Sequence, residues 1–367
     1  MSTTLPPLAI ELSPTATRLG AAERAALLTD PGFGRVFTEH MVTIRHTRER
    51  GWHQARLQPY GPLAIPPATL VLHYAQAVFE GLKAYRQPDG GVSLFRPERN
   101  AVRFQRSAER LAMPPLPEEL FMESIRVLLE TDRDWVPDAA SEASLYLRPL
   151  LFATDPFLGV RPGTEYLYCL MACAVGSYFP RGVKPVTVWV SREYTRAAPG
   201  GTGEAKCAGN YAASLVAQAQ AVERGCDQVV WLDAVEHRWV EEMGGMNIFF
   251  VFADGTLVTP ALTGTLLPGV TRESILALAA DLGLRAEERR ISTDEWREAA
   301  RSGRMTEAFA CGTAAVVTPI GRVKGADGEF TLGDGEPGRI TMGVRAALLD
   351  LQYGRAPDAH GWMHRIF

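Results

Sequence analysis

The grouping of strand-like segments limits the fold of this chain more than any other feature of its sequence. Short apolar segments of strand length follow one another at 144–152 and 166–175, and again at 228–232, 239–242 and 247–252. The helical segments stand between these groups. A doubly wound parallel sheet would instead require single strands to alternate with single helices. The grouping therefore predicts an α+β fold.

The length and one irregular stretch predict how this fold is divided. With 367 residues, the chain is about two to three times the size of a common domain. The regular elements are interrupted at 179–185, which contains two prolines and a glycine. We therefore predict a smaller N-terminal α+β domain with an N-terminal arm at 1–179. It is followed by an interdomain linker at 180–186 and a larger C-terminal domain at 187–367.

Helical spacing and capping signals place the other elements. The predicted helices are 98–111, 118–132, 211–225, 271–282 and one that starts at Ser292, where a capping box stands. Turns at 88–91 and 253–256 predict hairpins. Further strands are predicted at 38–45, 52–57, 92–95, 186–190 and 257–259.

Charge, hydropathy and cysteine usage exclude several classes of protein. Lys and Arg number 38 against 42 Asp and Glu, so no basic excess exists to neutralise nucleic-acid or membrane phosphates. The start of the chain lacks a signal-peptide pattern, and the longest uncharged run, 166–180, is too short to span a bilayer. Five irregularly spaced cysteines and seven histidines form no disulfide framework or metal-binding motif. We expect a cytoplasmic protein without a metal.

Lysine is scarce, and one of the four lysines stands in an unusual segment. Lys206 lies in a glycine-rich stretch, 200–211, directly before a predicted helix. A phosphate-binding P-loop needs Gly before the lysine and Ser or Thr after it, whereas Ala205 and Cys207 occupy these places. Two interpretations remain for the segment alone. Lys206 is either a lysine that forms an imine with an aldehyde, or a surface lysine in a flexible loop.

Three more segments supply what an imine-forming lysine needs if the aldehyde is pyridoxal phosphate. Residues 241–247 place an acid at a strand end beside a glycine turn, as required next to the pyridine nitrogen. Residues 266–272 offer backbone N–H groups and a hydroxyl at a helix start, which is typical of a phosphate seat. Residues 309–315 form a second loop of small residues. Each is an ordinary turn or cap by itself, but the combination predicts a pyridoxal phosphate site.

Together with the segments 72–85, 95–100 and 143–149, these loops resemble the branched-chain amino acid aminotransferases. The resemblance is to the longer branch of that family, within the fold-type IV pyridoxal phosphate enzymes, and runs from about residue 30 to 354. It implies a two-domain α+β homodimer that acts in branched-chain amino acid biosynthesis. Such a transaminase exchanges amino groups between L-leucine, isoleucine or valine and 2-oxoglutarate by a ping-pong route.

The resemblance also implies roles for residues around the cofactor. Lys206 would be the catalytic lysine that binds pyridoxal 5'-phosphate and moves the proton. Glu242 would face the pyridine nitrogen, with its neighbour Glu241 as the alternative. Tyr211 would donate a hydrogen bond to the phenolic oxygen. The phosphate would be bound by Arg103, Val270, Thr271 and Thr313.

A substrate site for two kinds of side chain is implied as well. Arg148 would bind the γ-carboxylate of glutamate, and the backbone N–H groups of Thr313 and Ala314 would bind the α-carboxylate. Val160 would reach the site of the partner subunit. An apolar wall for leucine-like side chains would be formed by Phe33, Tyr74, Phe79, Tyr146 and Tyr178. Plain core packing is the alternative for these aromatic residues.

Two departures from the family pattern and three rival functions complete the prediction. Ala315 and Thr318 stand where some relatives carry a Cys-x-x-Cys pair, so thiol regulation is not expected. Gly245 replaces a threonine of some members and would widen one substrate wall. The rivals are a D-amino acid aminotransferase, an aminodeoxychorismate lyase and a non-catalytic metabolite-binding protein. The first two are disfavoured because they are generally shorter.

Overall fold

The computed structural model describes residues 8–13, 17–139, 142–177 and 182–367. Packing divides the chain into two compact units, and the division falls at residue 178. The first unit also contains Ala205–Ala208 and Leu351–Phe367, and the second holds the remainder up to Asp350. The domain boundaries predicted from the sequence remain a prediction, and residues 180 and 181 of the predicted linker lie outside the described residues.

The helices and strands are numbered in chain order. The α-helices are α1 (Ala21–Thr29), α2 (Leu70–Tyr74), α3 (Pro97–Arg110), α4 (Glu118–Thr131), α5 (Ala208–Ala212), α6 (Leu215–Glu223), α7 (Val270–Asp281), α8 (Thr293–Arg301) and α9 (Arg339–Gln352). The strands are β1 (Glu11–Leu12), β2 (Val36–Thr47), β3 (Gly51–Pro59), β4 (Ala77–Phe79), β5 (Leu82–Arg86), β6 (Val92–Phe95), β7 (Ser144–Ala153), β8 (Glu165–Val175), β9 (Val186–Val190), β10 (Gln228–Leu232), β11 (Val240–Met243), β12 (Met246–Phe252), β13 (Thr256–Thr259), β14 (Arg285–Glu288), β15 (Met305–Gly312), β16 (Val316–Gly325), β17 (Gly328–Thr331) and β18 (Met363–Arg365).

One mixed sheet forms the frame of the first unit. Its strand order is β1-β3-β2-β8-β7-β5-β6-β18, and β4 pairs with β7. Strands β7 and β8 are buried along nearly their whole length, which explains why their sequences do not alternate between apolar and polar residues. Phe104 of α3 and Phe121 of α4 pack with Tyr168 of β8 in the core. The helices thereby cover one face of the sheet.

The sheet of the second unit closes on itself. Its order is β11-β10-β9-β16-β15-β12-β13-β14, and β11 pairs with β12 as well as with β10. Six strands therefore form a ring, which removes the exposed edges that an open sheet would leave there. Trp296 of α8 packs edge-on against Phe250 of β12, with 5.2 Å between the ring centres. This contact anchors α8 on the sheet.

The predicted α+β class is confirmed, whereas one predicted helix is interrupted. The segment 211–225 is not continuous: α5 ends at Ala212 and α6 begins at Leu215. The hydroxyl of Ser214 donates to the carbonyl of Tyr211 at 2.7 Å, and such a local bond competes with regular helix geometry. Among the described residues, none of the helices is long and apolar enough to cross a bilayer.

The loop between β10 and β11 depends on one carboxylate. Asp233 accepts hydrogen bonds from the backbone N–H groups of four residues at 2.7–3.1 Å, namely Val235, Glu236, Arg238 and Trp239. Burial would raise the pKa of the Asp233 carboxyl, but these backbone donors outweigh it and hold the pKa below the ordinary value. The carboxylate thus fixes the approach of β11, which carries Glu242.

We predict that Asp233→Ala lowers the free energy of unfolding by about 1–3 kcal/mol, because several N–H donors lose their acceptor. Urea unfolding followed by tryptophan fluorescence measures this loss. The control is Asp254→Ala in the exposed turn before β13, where the carboxylate accepts one backbone bond from Thr256 at 3.0 Å. Equal losses in both variants would contradict the role assigned to Asp233.

Candidate active site

In the first unit, the backbone around Lys206 is fixed from two sides. The N–H of Lys206 donates to the hydroxyl of Ser107 on α3 at 2.9 Å. Its carbonyl accepts from the N–H of Phe79 at 3.0 Å, and Cys207 forms a β-bridge with Val78. The side-chain Nζ lies 4.9 Å from the centre of the Phe79 ring. Lys206 is therefore part of an ordered edge beside β4 and not a surface lysine in a flexible loop.

A fully buried carboxylate lies close to this lysine. Glu80 is 0% exposed and accepts bonds from Arg103 Nε at 2.7 Å and from Arg103 Nη2 at 2.9 Å. Asn100 Nδ2 donates to it at 2.8 Å. Burial alone would raise the pKa of Glu80, but the charges of Arg103 and Lys206 and the hydrogen bonds reverse this, so the pKa is lowered. Glu80 thus fixes the direction of the Arg103 guanidinium.

Three of the five aromatic residues predicted for the substrate wall, Phe33, Phe79 and Tyr146, form one group with Arg148. The rings of Phe33 and Tyr146 meet edge to face at 5.2 Å. The guanidinium of Arg148 lies 4.8 Å from the ring centre of Phe79, and its Nη2 donates to the Tyr146 hydroxyl at 3.1 Å. A Cβ at residue 81 would lie 1.9 Å from that hydroxyl, so the Tyr146 ring can take this position only because residue 81 is a glycine. The group combines apolar ring surface with one cation.

Tyr74 contacts the loop that carries Val160. The Tyr74 hydroxyl donates to the carbonyl of Leu158, in a loop whose tip exposes Val160 to 85%. Asp155 shapes this loop by accepting the backbone N–H groups of Thr164 and Glu165 at 2.9 and 3.0 Å. The loop is ordered although its apolar tip faces solvent. Tyr178, which was also predicted for the wall, lies outside the described residues.

In the second unit, Glu242 stands at the centre of a buried network. Its Oε1 accepts from the N–H of Leu267 at 2.8 Å and from Asn247 Nδ2 at 3.2 Å. Its Oε2 lies 2.7 Å from Nε of Arg196. The neighbouring Glu241 is bound differently, by the hydroxyl of Thr265 at 2.5 Å. Burial raises the pKa of the Glu241 carboxyl.

The start of α7 can hold an anion. Its N-cap is Gly269, which has no side chain to cap the N–H groups of the first turn, and Val270 and Thr271 are buried there. A Cβ at residue 269 would lie 2.0 Å from Oδ1 of Asn247, which explains the glycine. Uncapped N–H groups beside a buried hydroxyl fit a phosphate group.

Three further predicted residues, Tyr211, Thr313 and Ala314, lie in the same unit. Tyr211 of α5 stands beside Gly245, where a Cβ would lie 3.4 Å from its ring. Thr313 and Ala314 form the turn between β15 and β16 and are half-buried. Val316, at the end of this turn, has a φ of 61°, a conformation that costs a β-branched residue about 1–3 kcal/mol. The turn is therefore held in place by the surrounding strands.

The structure distributes the predicted residues over both units. The first contains Arg103, Lys206, Phe33, Tyr74, Phe79, Tyr146, Arg148 and Val160, and the second contains Tyr211, Glu242, Val270, Thr271, Thr313 and Ala314. Sequence reasoning missed Glu80 and Arg196. Glu80 lies in the segment 72–85, where an acid between two apolar stretches is the signal that could have identified it.

The cysteines and one group of acidic and histidine side chains are the remaining candidates for redox chemistry or metal binding. All five cysteines are buried free thiols, and burial raises the pKa of Cys311 far above its ordinary value. The atoms of Glu39, His40 and Asp132 lie within 4.8 Å of one another. They are bonded to the protein, however, since His40 Nδ1 contacts Asp132 at 2.6 Å and Glu39 accepts the N–H of Leu19 at 2.7 Å. The absence of a metal remains a prediction.

We predict that Glu80→Gln lowers stability at pH 7 by about 3 kcal/mol or more, because Arg103 loses its buried counter-charge. The folded-state pKa of Glu80 lies below the value of the unfolded chain, about 4.3. Its contribution is therefore complete above that pH and is lost as the pH falls through the folded-state value. The thermal midpoint of Glu80→Gln should lie below that of the wild type by a constant amount from pH 7 down to about 4.3, and this difference should shrink only at lower pH. The exposed variant Glu130→Gln should match the wild type throughout.

The chain is similar to known proteins over most of its length. The pattern of the family described as amino-transferase class IV matches residues 77–323, more than half of the chain. The branched-chain-amino-acid aminotransferase of Mycolicibacterium smegmatis is 58% identical over 363 residues, which cover 98% of this chain and 99% of that protein. The branched-chain-amino-acid transaminase 1 of Bacillus subtilis is 48% identical, with 90% of this chain and 93% of that protein covered.

Two solved structures are similar at the level of the fold. One is the branched-chain amino acid aminotransferase of Escherichia coli, at a TM-score of 0.73 and 28% identity, which covers 90% of this chain and 100% of its own. The other is the enzyme of Thermobaculum terrenum in its pyridoxal phosphate form, at a TM-score of 0.73 and 23% identity, with coverages of 90% and 99%. The matched pattern and the full-length similarity to the two relatives show that the chain belongs to the class IV aminotransferases, the fold-type IV family to which the branched-chain enzymes belong.

Proposed function

We propose that this aminotransferase exchanges the amino group between branched-chain L-amino acids and 2-oxoglutarate, with pyridoxal 5'-phosphate as cofactor. The observation that carries this proposal is the group formed by Phe33, Phe79, Tyr146 and Arg148, because it offers ring surface and a guanidinium side by side. The names of the relatives at 58% and 48% identity support the same substrates.

The residues assigned to the cofactor have the chemistry that it requires. The start of α7 offers Val270 and Thr271, and the turn after β15 offers Thr313, for the phosphate. Arg103 supplies positive charge, and Tyr211 supplies a hydroxyl for the phenolic oxygen. When bound, the cofactor supplies an electron-withdrawing ring that stabilises negative charge at the substrate Cα. Glu242 is the acid that keeps a proton on the ring nitrogen. It is favoured over Glu241 because it is bound by the N–H of Leu267, three residues before α7.

Lys206 has two tasks in this proposal. Its Nζ holds the cofactor covalently and, as a neutral amine once released, accepts the proton from the substrate Cα. The bonds of its backbone to Ser107 and Phe79 fix the point from which the side chain extends.

The two half-reactions require one pocket to accept an aliphatic side chain and a carboxylate. The rings of Phe33 and Tyr146 offer apolar contact to leucine, isoleucine or valine. The γ-carboxylate of glutamate would bind the guanidinium of Arg148, which already donates to the Tyr146 hydroxyl at 3.1 Å. The N–H groups of Thr313 and Ala314 would bind the α-carboxylate that both substrates share.

A homodimer is part of the proposal. The loop that carries Val160 exposes apolar side chains, among them Leu158 at 61%, and is ordered by Asp155. Exposed apolar surface on an ordered loop suits a contact with a second copy. The cytoplasm as the location, a role in branched-chain amino acid biosynthesis and the ping-pong order remain predictions from the sequence.

Chemical mapping tests the role of Lys206. We expect the purified protein to show visible absorbance, and borohydride reduction followed by peptide mass spectrometry to place the cofactor on Lys206. Lys184 and Lys324 serve as internal controls, and both should stay unmodified. Absence of the chromophore, or a label on any other lysine, would refute the mechanism and would favour the non-catalytic alternative.

Half-reactions test the substrates. In Arg148→Ala, kcat/KM for glutamate should fall by a factor that corresponds to roughly 1.5–3 kcal/mol, while leucine loses clearly less, because only glutamate loses a charge-assisted bond. Arg224→Ala is the matched control, since that arginine stacks on Trp189 in the second unit and has no role in the proposed substrate site. Equal losses for both substrates would remove Arg148 from this role. Faster reaction of the wild type with D-alanine or aminodeoxychorismate than with leucine would replace the proposed substrates by those of a rival.

A further inference from the structure

A buried arginine contacts the carboxylate proposed to face the ring nitrogen. The side chain of Arg196, in the segment after β9, is 8% exposed, and that of Glu242 is 3% exposed. Arg196 Nε lies 2.7 Å from Glu242 Oε2, although its N–H is not aligned as a hydrogen bond. The contact is thus primarily a Coulombic attraction between buried opposite charges, where screening by solvent is weak.

The position of Arg196 is determined by the protein backbone. Its Nη2 donates to the carbonyl of Gly203 at 3.2 Å and to the carbonyl of Thr265 at 2.5 Å. A Cβ at Gly203 would lie 2.2 Å from the Thr265 carbonyl oxygen, so the loop closes around the guanidinium only with glycine at this position. One part of the glycine-rich segment before Lys206 therefore serves to hold Arg196.

Glu242 is consequently held at both oxygens. Leu267 and Asn247 donate to Oε1, while Arg196 faces Oε2. Two donors at Oε1 and a cation at Oε2 stabilise the carboxylate form of Glu242 over its carboxylic acid form. They also prevent the carboxylate from turning, because each oxygen has a different partner.

The neighbouring acid shows what burial does in this strand. Glu241 is also buried, and its hydrogen-bond partner is the neutral hydroxyl of Thr265. Burial raises the pKa of Glu241 more than Arg196 lowers it. Burial thus makes Glu241 easier to protonate, and its bonded partner is a neutral hydroxyl, whereas Glu242 contacts the guanidinium of Arg196.

We propose that Arg196 is a positioning residue that keeps Glu242 ionised and thereby biases the shared proton toward the ring nitrogen of the cofactor. The guanidinium contacts the carboxylate directly, so it stabilises the pair with the proton on the ring nitrogen more than the pair with the proton on Glu242. No atom other than this proton changes place. The inference rests on the proposed function, because it requires the cofactor at Glu242.

The test is the protonation state of the ring nitrogen in protein loaded with cofactor that carries ¹⁵N in the ring. In the wild type, the ¹⁵N chemical shift should be that of a protonated nitrogen. In Arg196→Gln, the protonation equilibrium should move by about tenfold or more toward the unprotonated form. Glu242→Gln gives the reference shift for loss of the acid. Arg196→Lys, which keeps the charge, should restore most of the protonated signal.

Two further variants separate charge from structure. Arg196→Met is a second neutral replacement that leaves no buried donor of its own, and it takes the place of Arg196→Gln if that variant does not fold. Arg192→Gln is the matched control in the same unit, because Arg192 pairs with the half-exposed Asp327 at 2.7 Å. Its ¹⁵N shift should equal that of the wild type.

The outcomes distinguish this inference from the proposed function. A wild-type ¹⁵N shift in a neutral Arg196 variant with full cofactor content would overturn the inference and leave the proposed function intact. An unprotonated signal in Arg196→Lys as well would show that the shape of arginine matters and its charge does not, which also overturns it. A wild-type protein that binds no cofactor would overturn the proposed function itself.

Discussion

The carboxylate of Glu242 ties together parts of the second unit that are far apart in the chain. Arg196 follows β9, Asn247 is the second residue of β12, and Leu267 precedes α7. Arg196 contacts Oε2 of Glu242, and the other two residues donate to Oε1. The ion pair and the hydrogen bonds therefore set the distance between the glycine-rich segment, the β11–β12 hairpin and the start of α7. Glu242 and the start of α7 cannot shift independently, since Asn247 Nδ2 also donates to the carbonyl of Leu267 at 3.0 Å. One buried charge thus organises both ends of the proposed cofactor site.

Local signals in the sequence were sufficient for the fold class, but not for the pairings between residues that are far apart in the chain. The capping box at Ser292 and the glycine-rich segment around Lys206 are read from adjacent residues, and the helix α8 begins as predicted. Glu80 and Arg103 are 23 positions apart, and no local pattern joins them. The start of α9 was missed for the same reason, because the carboxylate that binds its first N–H groups belongs to Glu307 on β15. Strands β15 and β16 were missed because their buried residues do not alternate with polar ones.

Two glycines are required for reasons that the sequence does not show. The sequence left open whether the glycine-rich segment around Lys206 is a flexible loop. At Gly203, the space is required by the carbonyl of Thr265, and at Gly81 by the hydroxyl of Tyr146. These two glycines allow the protein to pack against itself where it holds Arg196 and Arg148. Their first effect is therefore on the packing around two arginines, the buried side chain of Arg196 and the half-buried Arg148.

The loop shaped by Asp155 has a consequence for association. Its carboxylate accepts backbone N–H groups from the far side of the loop, and Tyr74 binds the carbonyl of Leu158, so the apolar tip at Val160 already has a fixed conformation. A surface that covers this tip gains apolar burial without having to order a flexible segment first. The conformational entropy of the loop is lost when the chain folds. Its free-energy cost therefore does not oppose the binding of a partner at this tip.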